Sequence, residues 1–204
     1  MASHYQKARF LLSVAKVEQL PPDRGIEVAM VGRSNAGKSS ALNRLVNIKG
    51  LARVSKTPGR TQLVNIFELD PERRLVDLPG YGYAKVPLAA KLAWQKTVDE
   101  YVTGRECLKG LVLIMDIRHP MQELDKQLLE YCDERDLNVH ILLNKSDKLS
   151  RGAALSTMHT VSSSLTGYRN SVTFQCFSAL RGTGLKEFQA VLDGWYEFQS
   201  NSTK

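Results

Sequence analysis

The stretch "IEVAMVGRSNAGKSS", residues 26–40, restricts the possible folds of this chain more than any other. An apolar, β-rich run (26–32) passes without a linker into Gly32, Arg33, Ser34, Asn35, Ala36, Gly37, Lys38 and Ser39, which satisfy G-x-x-x-x-G-K-[ST]. Glycines at both ends let the backbone wrap a phosphate chain with its N–H groups. Lys38 offers a point charge to β- and γ-phosphates, and Ser39 a hydroxyl to Mg²⁺. The next stretch (37–47) is a helical candidate, and a helix N-terminus attracts anions. Given ordinary glycine usage, a chance match in such a chain is on the order of one per cent. A strand–loop–helix unit built around phosphate is therefore the starting expectation.

The remaining pattern extends that unit into a layered α/β domain. Apolar runs at 26–32, 62–69, 73–79, 110–116, 138–144 and 172–178 read as strands, most of them continuous rather than alternating. Strands of that kind are covered on both faces by helices. Helical candidates lie near 37–47, 88–104, 121–135, 151–166 and 183–199. The turn "DPER" joins 62–69 to 73–79 as a hairpin, and the other connections read as right-handed β-α-β crossovers. The expected fold is a three-layer α/β P-loop NTPase: a mostly parallel six-stranded sheet, one strand antiparallel, helices on both faces. With 204 residues, one domain (25–204) is expected, preceded by a short extension (1–24) packed on it. No apolar run reaches membrane-spanning length, and the N-terminus lacks the h-region and cleavage site of a signal peptide. Cys107, Cys132 and Cys176 are odd in number and widely spaced, so they read as reduced thiols of a cytoplasmic protein.

Downstream segments identify the base. Asp77-Leu78-Pro79-Gly80 ends an apolar run, where a carboxylate could hold Mg²⁺ through water and the Gly80 N–H could meet a γ-phosphate. "NKSD" (Asn144, Lys145, Ser146, Asp147) ends another. There the Asp147 carboxylate can accept from guanine N1–H and its exocyclic amine, a pattern adenine cannot offer. Asn144 would brace the loops, and the stem of Lys145 would cover the base. "SAL" (178–180) follows the last strand, and a backbone N–H there, Ala179 the first choice, could meet guanine O6. GTP or GDP is the expected ligand. A threonine reporting the γ-phosphate should lie between the phosphate helix and strand 62–69. Thr57 and Thr61 compete, and Thr61, next to the strand and preceded by Gly59, is preferred. A water-orienting Gln is expected after Gly80 in Ras-like enzymes, yet Tyr81 stands there.

Charge is asymmetric. Of the net +7, residues 1–100 hold 16 Lys/Arg against 9 Asp/Glu, whereas 101–204 hold 12 of each. Arg44, Lys49, Arg53, Lys56 and Arg60 sit in a stretch (44–60) without an acid. This reads either as a solvated basic loop near phosphates or as a footprint for a polyanion, RNA being the best candidate.

Together, "GRSNAGKSS", "ARVSKTPGRTQ", "VDLPGYGYAKV", "DIRHP", "NKSD" and "FSAL" closely resemble the EngB/YihA family of bacterial ribosome-biogenesis GTP-binding proteins, from about residue 5 to the C-terminus. The resemblance implies a Ras-like G domain that assists late assembly of the large (50S) ribosomal subunit. It also implies a link to cell division and septation. Family nucleotide contacts then fall on Gly32, Arg33, Ser34, Asn35, Ala36, Gly37, Lys38, Ser39 and Ser40; on Gly59, Arg60, Thr61, Gln62 and Leu63; on Asp77, Leu78, Pro79 and Gly80; on Asn144, Lys145, Ser146 and Asp147; and on Phe177, Ser178 and Ala179. Mg²⁺ ligands fall on Ser39 and Thr61. Lys38, Thr61 and Gly80 would carry the slow hydrolysis.

Asn35 has two readings, a K⁺ ligand beside the phosphates, as in related GTPases, or a residue shaping its loop. His119 of "DIRHP" reads as bracing a loop or contacting a switch rather than as a general base. Trp94 and Trp195 read as packing residues. Tyr81 and Tyr83 could pack on the core in one nucleotide state and face a partner in the other. The expected partner is the large subunit, its rRNA and proteins, with no DNA and a monomeric chain. The alternative function is a nucleotide-responsive protein-binding module at the division site with negligible turnover.

Overall fold

The computed structural model describes residues 4–52, 63–82, 88–169 and 172–198. Its elements are β1 (Arg9–Val14), β2 (Ile26–Gly32), α1 (Lys38–Val46), β3 (Val64–Asp70), β4 (Arg73–Asp77), α2 (Leu88–Gly104), β5 (Leu108–Asp116), α3 (Glu123–Glu134), β6 (Asn138–Asn144), α4 (Arg151–Ser164), β7 (Val172–Cys176) and α5 (Leu185–Trp195). The strands form one sheet in the order β1-β3-β4-β2-β5-β6-β7. β3 pairs antiparallel with β1 and β4, and the other pairings are parallel. β3 is thus the single reversed strand, made so by the tight turn at 70–73.

The sheet has seven strands where six were expected, because Arg9–Val14 adds an edge strand beyond β3. Its burial explains why it was unreadable: Arg9, Phe10 and Leu11 are exposed, so no inward-facing alternation marks the segment as a strand. Backbone pairing to β3 holds it, and pairing leaves no trace in hydropathy.

Continuous apolar runs became central strands for the expected reason. In β2, Ala29 and Val31 pack into one layer and Val28 and Met30 into the other, all fully buried. α2, α3 and α4 cover the first face through Val98, Tyr101, Leu128, Leu129, Cys132 and Val161. α1 and α5 cover the second through Leu42, Leu45, Phe188 and Leu192. Each such side chain contributes about 1.5–3 kcal/mol of burial. The three cysteines are free; Cys107 and Cys132 are buried. Trp195 packs against the second layer, with its ring filling the space where Gly110 lacks a side chain. No described helix is long and apolar enough to cross a membrane.

The parallel strands β2, β4, β5 and β6 all deliver their C-terminal ends to one edge of the sheet. Loops that carry ligands gather at such an edge.

Candidate functional site

The first wall of the site follows from two glycines. A Cβ on Gly32 would stand 2.4 Å from the Ile114 carbonyl oxygen, so only glycine lets β2 turn away so close to β5. Gly37 has φ 96°, and a Cβ there would fall 2.3 Å from the Asn144 side-chain nitrogen. Any other residue would be strained and would collide with the loop after β6. Gly37 then caps α1 without a side-chain bond. Among the described residues, no partner accounts for the backbone N–H groups of Gly37, Lys38, Ser39 and Ser40. These donors and the positive helix end face one cleft of about 910 Å³, lined by Arg33, Ser34, Asn35, Gly37, Lys38, Ser39, Ser40, Leu63, Asp77, Leu78, Pro79 and Gly80, among others.

Within that cleft Lys38 donates a charge-assisted hydrogen bond to Asp77. Asn65 reaches the other Asp77 oxygen at 3.4 Å. The cation and carboxylate that sequence reading assigned to phosphate and metal are therefore direct neighbours, with only 12% and 8% of their side chains exposed. Ser39 lines the same cleft. A hydroxyl and a carboxylate lining one cleft are hard oxygen donors, the kind that fits Mg²⁺. Among the described residues no group of three His, Cys, Asp or Glu could hold a metal by itself, so a ligand would have to complete the coordination.

Beside that cleft, at the end of β6, stand Asn144 and Lys145, which do not line it but hold its phosphate loop. Asn144 Nδ2 donates to the Ala36 carbonyl (2.8 Å), and Asn144 Oδ1 accepts from the Ala179 N–H (3.1 Å). One buried amide thus ties three loops together, the bracing expected of it. Lys145 sits in the left-handed region (φ 63°) and donates to the Asn35 carbonyl at 2.5 Å while pairing with Asp116 at 2.9 Å. Its ammonium is consequently fixed to the phosphate loop. Burial would raise the Asp116 pKa, but bonds from Arg118 and Lys145 pull it well below the usual carboxylate range, so this anchor stays charged. Asp147 accepts from the Ser178 hydroxyl at 2.5 Å, which lowers its pKa. Its carboxylate is therefore anionic at neutral pH and acts only as an acceptor. Phe177 is buried, and its carbonyl accepts the Ser146 N–H (3.0 Å).

The Ala179 N–H is engaged by Asn144, whereas the Leu180 N–H has no partner among the described residues. Of these two donors, the second is the one available to a base.

The loop after β4 is held from two sides. Trp94 of α2 donates its ring N–H to the Pro79 carbonyl at 2.7 Å and packs on Tyr81, ring centres 4.8 Å apart. Tyr81 is 2% exposed and donates its hydroxyl to Asp125 of α3. Burial raises the pKa of both Tyr81 and Asp125. Gly80 lies between these two anchors on the cleft wall. Here Tyr81 packs on the core and is not among the residues that line the cleft. His119 is exposed, and its backbone N–H bonds to the Asp116 carbonyl.

Gly59, Arg60, Thr61 and Gln62, the competing Thr57, and Tyr83 lie outside the described residues, as do Arg53 and Lys56 of the basic stretch. Of that stretch, Lys49 is exposed, but Arg44 spends its guanidinium internally on the Ala179 and Leu180 carbonyls. Sequence reading missed this use of Arg44 and the Asp125 and Asp116 anchors. A charge pattern cannot reveal partners that lie 44 or 135 positions away.

The family model described as a 50S ribosome-binding GTPase matches residues 27–145, more than half of the chain. A Coxiella burnetii protein named "Probable GTP-binding protein EngB" is 54% identical over 195 residues, covering 96% of this chain and 95% of its own. Its namesakes in Pseudoalteromonas atlantica (54% over 196 residues, 96% and 95% covered) and Mannheimia succiniciproducens (52% over 193 residues, 95% and 94%) are similarly close. Among solved structures, the crystal structure of a probable GTP-binding protein EngB superposes with a TM-score of 0.68 at 18% identity, covering 85% of this chain and 100% of that one. Era in complex with MgGDPNP and a 16S ribosomal RNA fragment gives 0.65 at 18%, covering 89% and 60%. Those two likenesses establish the fold. The near full-length relatives and the family model establish more: this chain belongs to the EngB family of GTP-binding proteins, within the 50S ribosome-binding GTPases.

Proposed function

We propose that this protein binds GTP and GDP with Mg²⁺ and hydrolyses GTP slowly. Its nucleotide state gates association with an assembling large (50S) ribosomal subunit in the cytoplasm. A requirement in cell division and septation follows from that work on the ribosome. The observation carrying this reading is the meeting of three chemistries on one sheet edge: uncapped N–H donors at α1, the Lys38–Asp77 pair, and the Asp147 carboxylate.

In this reading a triphosphate lies on the Gly37–Ser40 amides and draws Lys38 away from Asp77. Ser39, Thr61 and Asp77 would hold Mg²⁺, which when bound would neutralise phosphate charge. The Gly80 N–H meets the γ-phosphate, and Asp147 reads the guanine edge. Because Tyr81 is committed to Asp125, attacking water is oriented by backbone groups, by K⁺, or by a ribosomal group. Asn35 leaves the K⁺ route open because its side chain makes no hydrogen bond among the described residues, while its φ of 65° is by itself reason enough for an asparagine in this loop. The ribosome is engaged by the basic surface of the N-terminal half, to which exposed Lys49 contributes.

GTP hydrolysis measured with and without purified large subunits, in K⁺ and in Na⁺, tests this reading. Slow basal turnover that rises with subunits or K⁺, and co-sedimentation that depends on nucleotide and weakens with salt, are expected. Equal pelleting with GTP, GDP or no nucleotide would overturn the switching reading.

A further inference from the structure

The guanidinium of Arg44 bridges two parts of the molecule that are 135 residues apart in sequence. It projects from α1, the helix whose first turn faces the phosphate cleft. Nε donates to the Ala179 carbonyl and Nη2 to the Leu180 carbonyl, both at 2.7 Å. Two short, charge-assisted bonds from one rigid fork fix two successive peptide planes.

A trans peptide points its N–H opposite its carbonyl. With the Ala179 carbonyl turned to Arg44, the Leu180 N–H must point away from α1. With the Leu180 carbonyl turned the same way, the Arg181 N–H points oppositely too, and it lands on the Ser178 hydroxyl at 3.1 Å. That hydroxyl is the group bound to Asp147. The side away from Arg44 is thus the Asp147 side. The Leu180 N–H, without a partner among the described residues, is presented there.

We infer that Arg44 is a specificity-positioning residue, which clamps the loop after β7 so that the Leu180 N–H donates to the 6-oxo group of a guanine read by Asp147. Arg44 does not line the phosphate cleft. It acts by fixing the plane of the donor. An adenine amine at the same place would meet a donor with a donor, so the clamp sharpens rejection of adenine. The inference rests on the proposed guanine nucleotide binding and assigns a second determinant to it.

Dissociation constants of GDP, 6-thio-GDP and IDP for the full chain and for Arg44→Ala, Arg44→Lys and Arg44→Gln test this. The ratio 6-thio-GDP/GDP reads the 6-oxo contact, and IDP/GDP reads the 2-amine at Asp147. Arg44→Ala is expected to weaken GDP roughly tenfold and to bring the 6-thio-GDP/GDP ratio close to one, while IDP/GDP is unchanged. Arg44→Lys, keeping one cationic donor, should recover part of the first ratio. Should Arg44→Ala fail to fold, Arg44→Gln carries the same comparison. An unchanged 6-thio-GDP/GDP ratio in a folded variant overturns the assignment, as does a parallel collapse of both ratios, which marks general loosening. Failure of the unsubstituted protein to prefer GDP over ADP would instead overturn the guanine reading itself.

Discussion

The two ends of β2 each carry a buried ion pair, and the two pairs are built for different purposes. At the Gly32 end, one lysine meets one carboxylate: Lys38 and Asp77, on the wall of an open cleft. At the Ile26 end, Glu27 is fully buried and enclosed. Arg105 donates to both of its oxygens (2.9 and 2.7 Å), Tyr101 donates at 2.8 Å, and Arg74 Nε stands 2.9 Å away in ion-pair contact without hydrogen-bond geometry. The first pair can exchange each partner for a ligand group without stranding a charge, because both residues line an open cleft. The second cannot. A charge with no route to solvent is retained only where its neighbours satisfy it permanently. The lesson is that burial alone does not mark a working site in this molecule; access does.

The largest expected effect sits at the closed end. Glu27→Gln leaves two guanidinium groups without their anion and should cost about 3–5 kcal/mol of stability, read by chemical denaturation. A loss below about 1 kcal/mol would mean that the network is solvated and the contrast false. Next comes the Tyr81–Asp125 bond, which removes the expected water-orienting position from the cleft. Tyr81→Phe keeps the packing on Trp94 but strands a buried carboxyl, at a cost of about 1–3 kcal/mol. If Tyr81 takes no direct part in hydrolysis, basal turnover at saturating GTP should change less than about threefold, whereas loss of turnover would return Tyr81 to the chemistry. The smallest stability effect belongs to the open end. Lys38→Met should alter folding by no more than about 1 kcal/mol, since Asp77 faces the cleft. It should nevertheless weaken GTP by on the order of a hundredfold, measured by titration with a fluorescent analogue.

How much of this was legible in the chain depended on whether the cause was local. β2 and β6 lie where their apolar runs end, because continuous burial writes itself directly into hydropathy. β4 and β7 stop two residues short of the expected 79 and 178, where the backbone leaves the ladder to form site loops. The phosphate loop, Asp77 and Asn144 were readable because their chemistry demands fixed spacings. β1 was not, since an exposed edge strand is held by backbone pairing. Glu27 was the most informative oversight. An acid inside "IEVAMVG" is anomalous, and β4 brings Arg74 into register with Glu27. The hairpin arginines 73–74 were visible in sequence, but the register was not. Arg44, counted with a basic stripe, is a tether for the same reason: its partners are set by topology alone.

The central claim is that Asp147 reads guanine, and the most direct measurement is the competition of GDP against XDP for the native chain and for Asp147→Asn. Ser178 holds the Asp147 carboxylate ionised, so the native chain should prefer GDP. The asparagine variant, offering an amide donor where xanthine carries an oxygen, should lose GDP affinity by on the order of a hundredfold and favour XDP. An unchanged preference for GDP in Asp147→Asn would contradict the base assignment and, with it, the functional reading of this site.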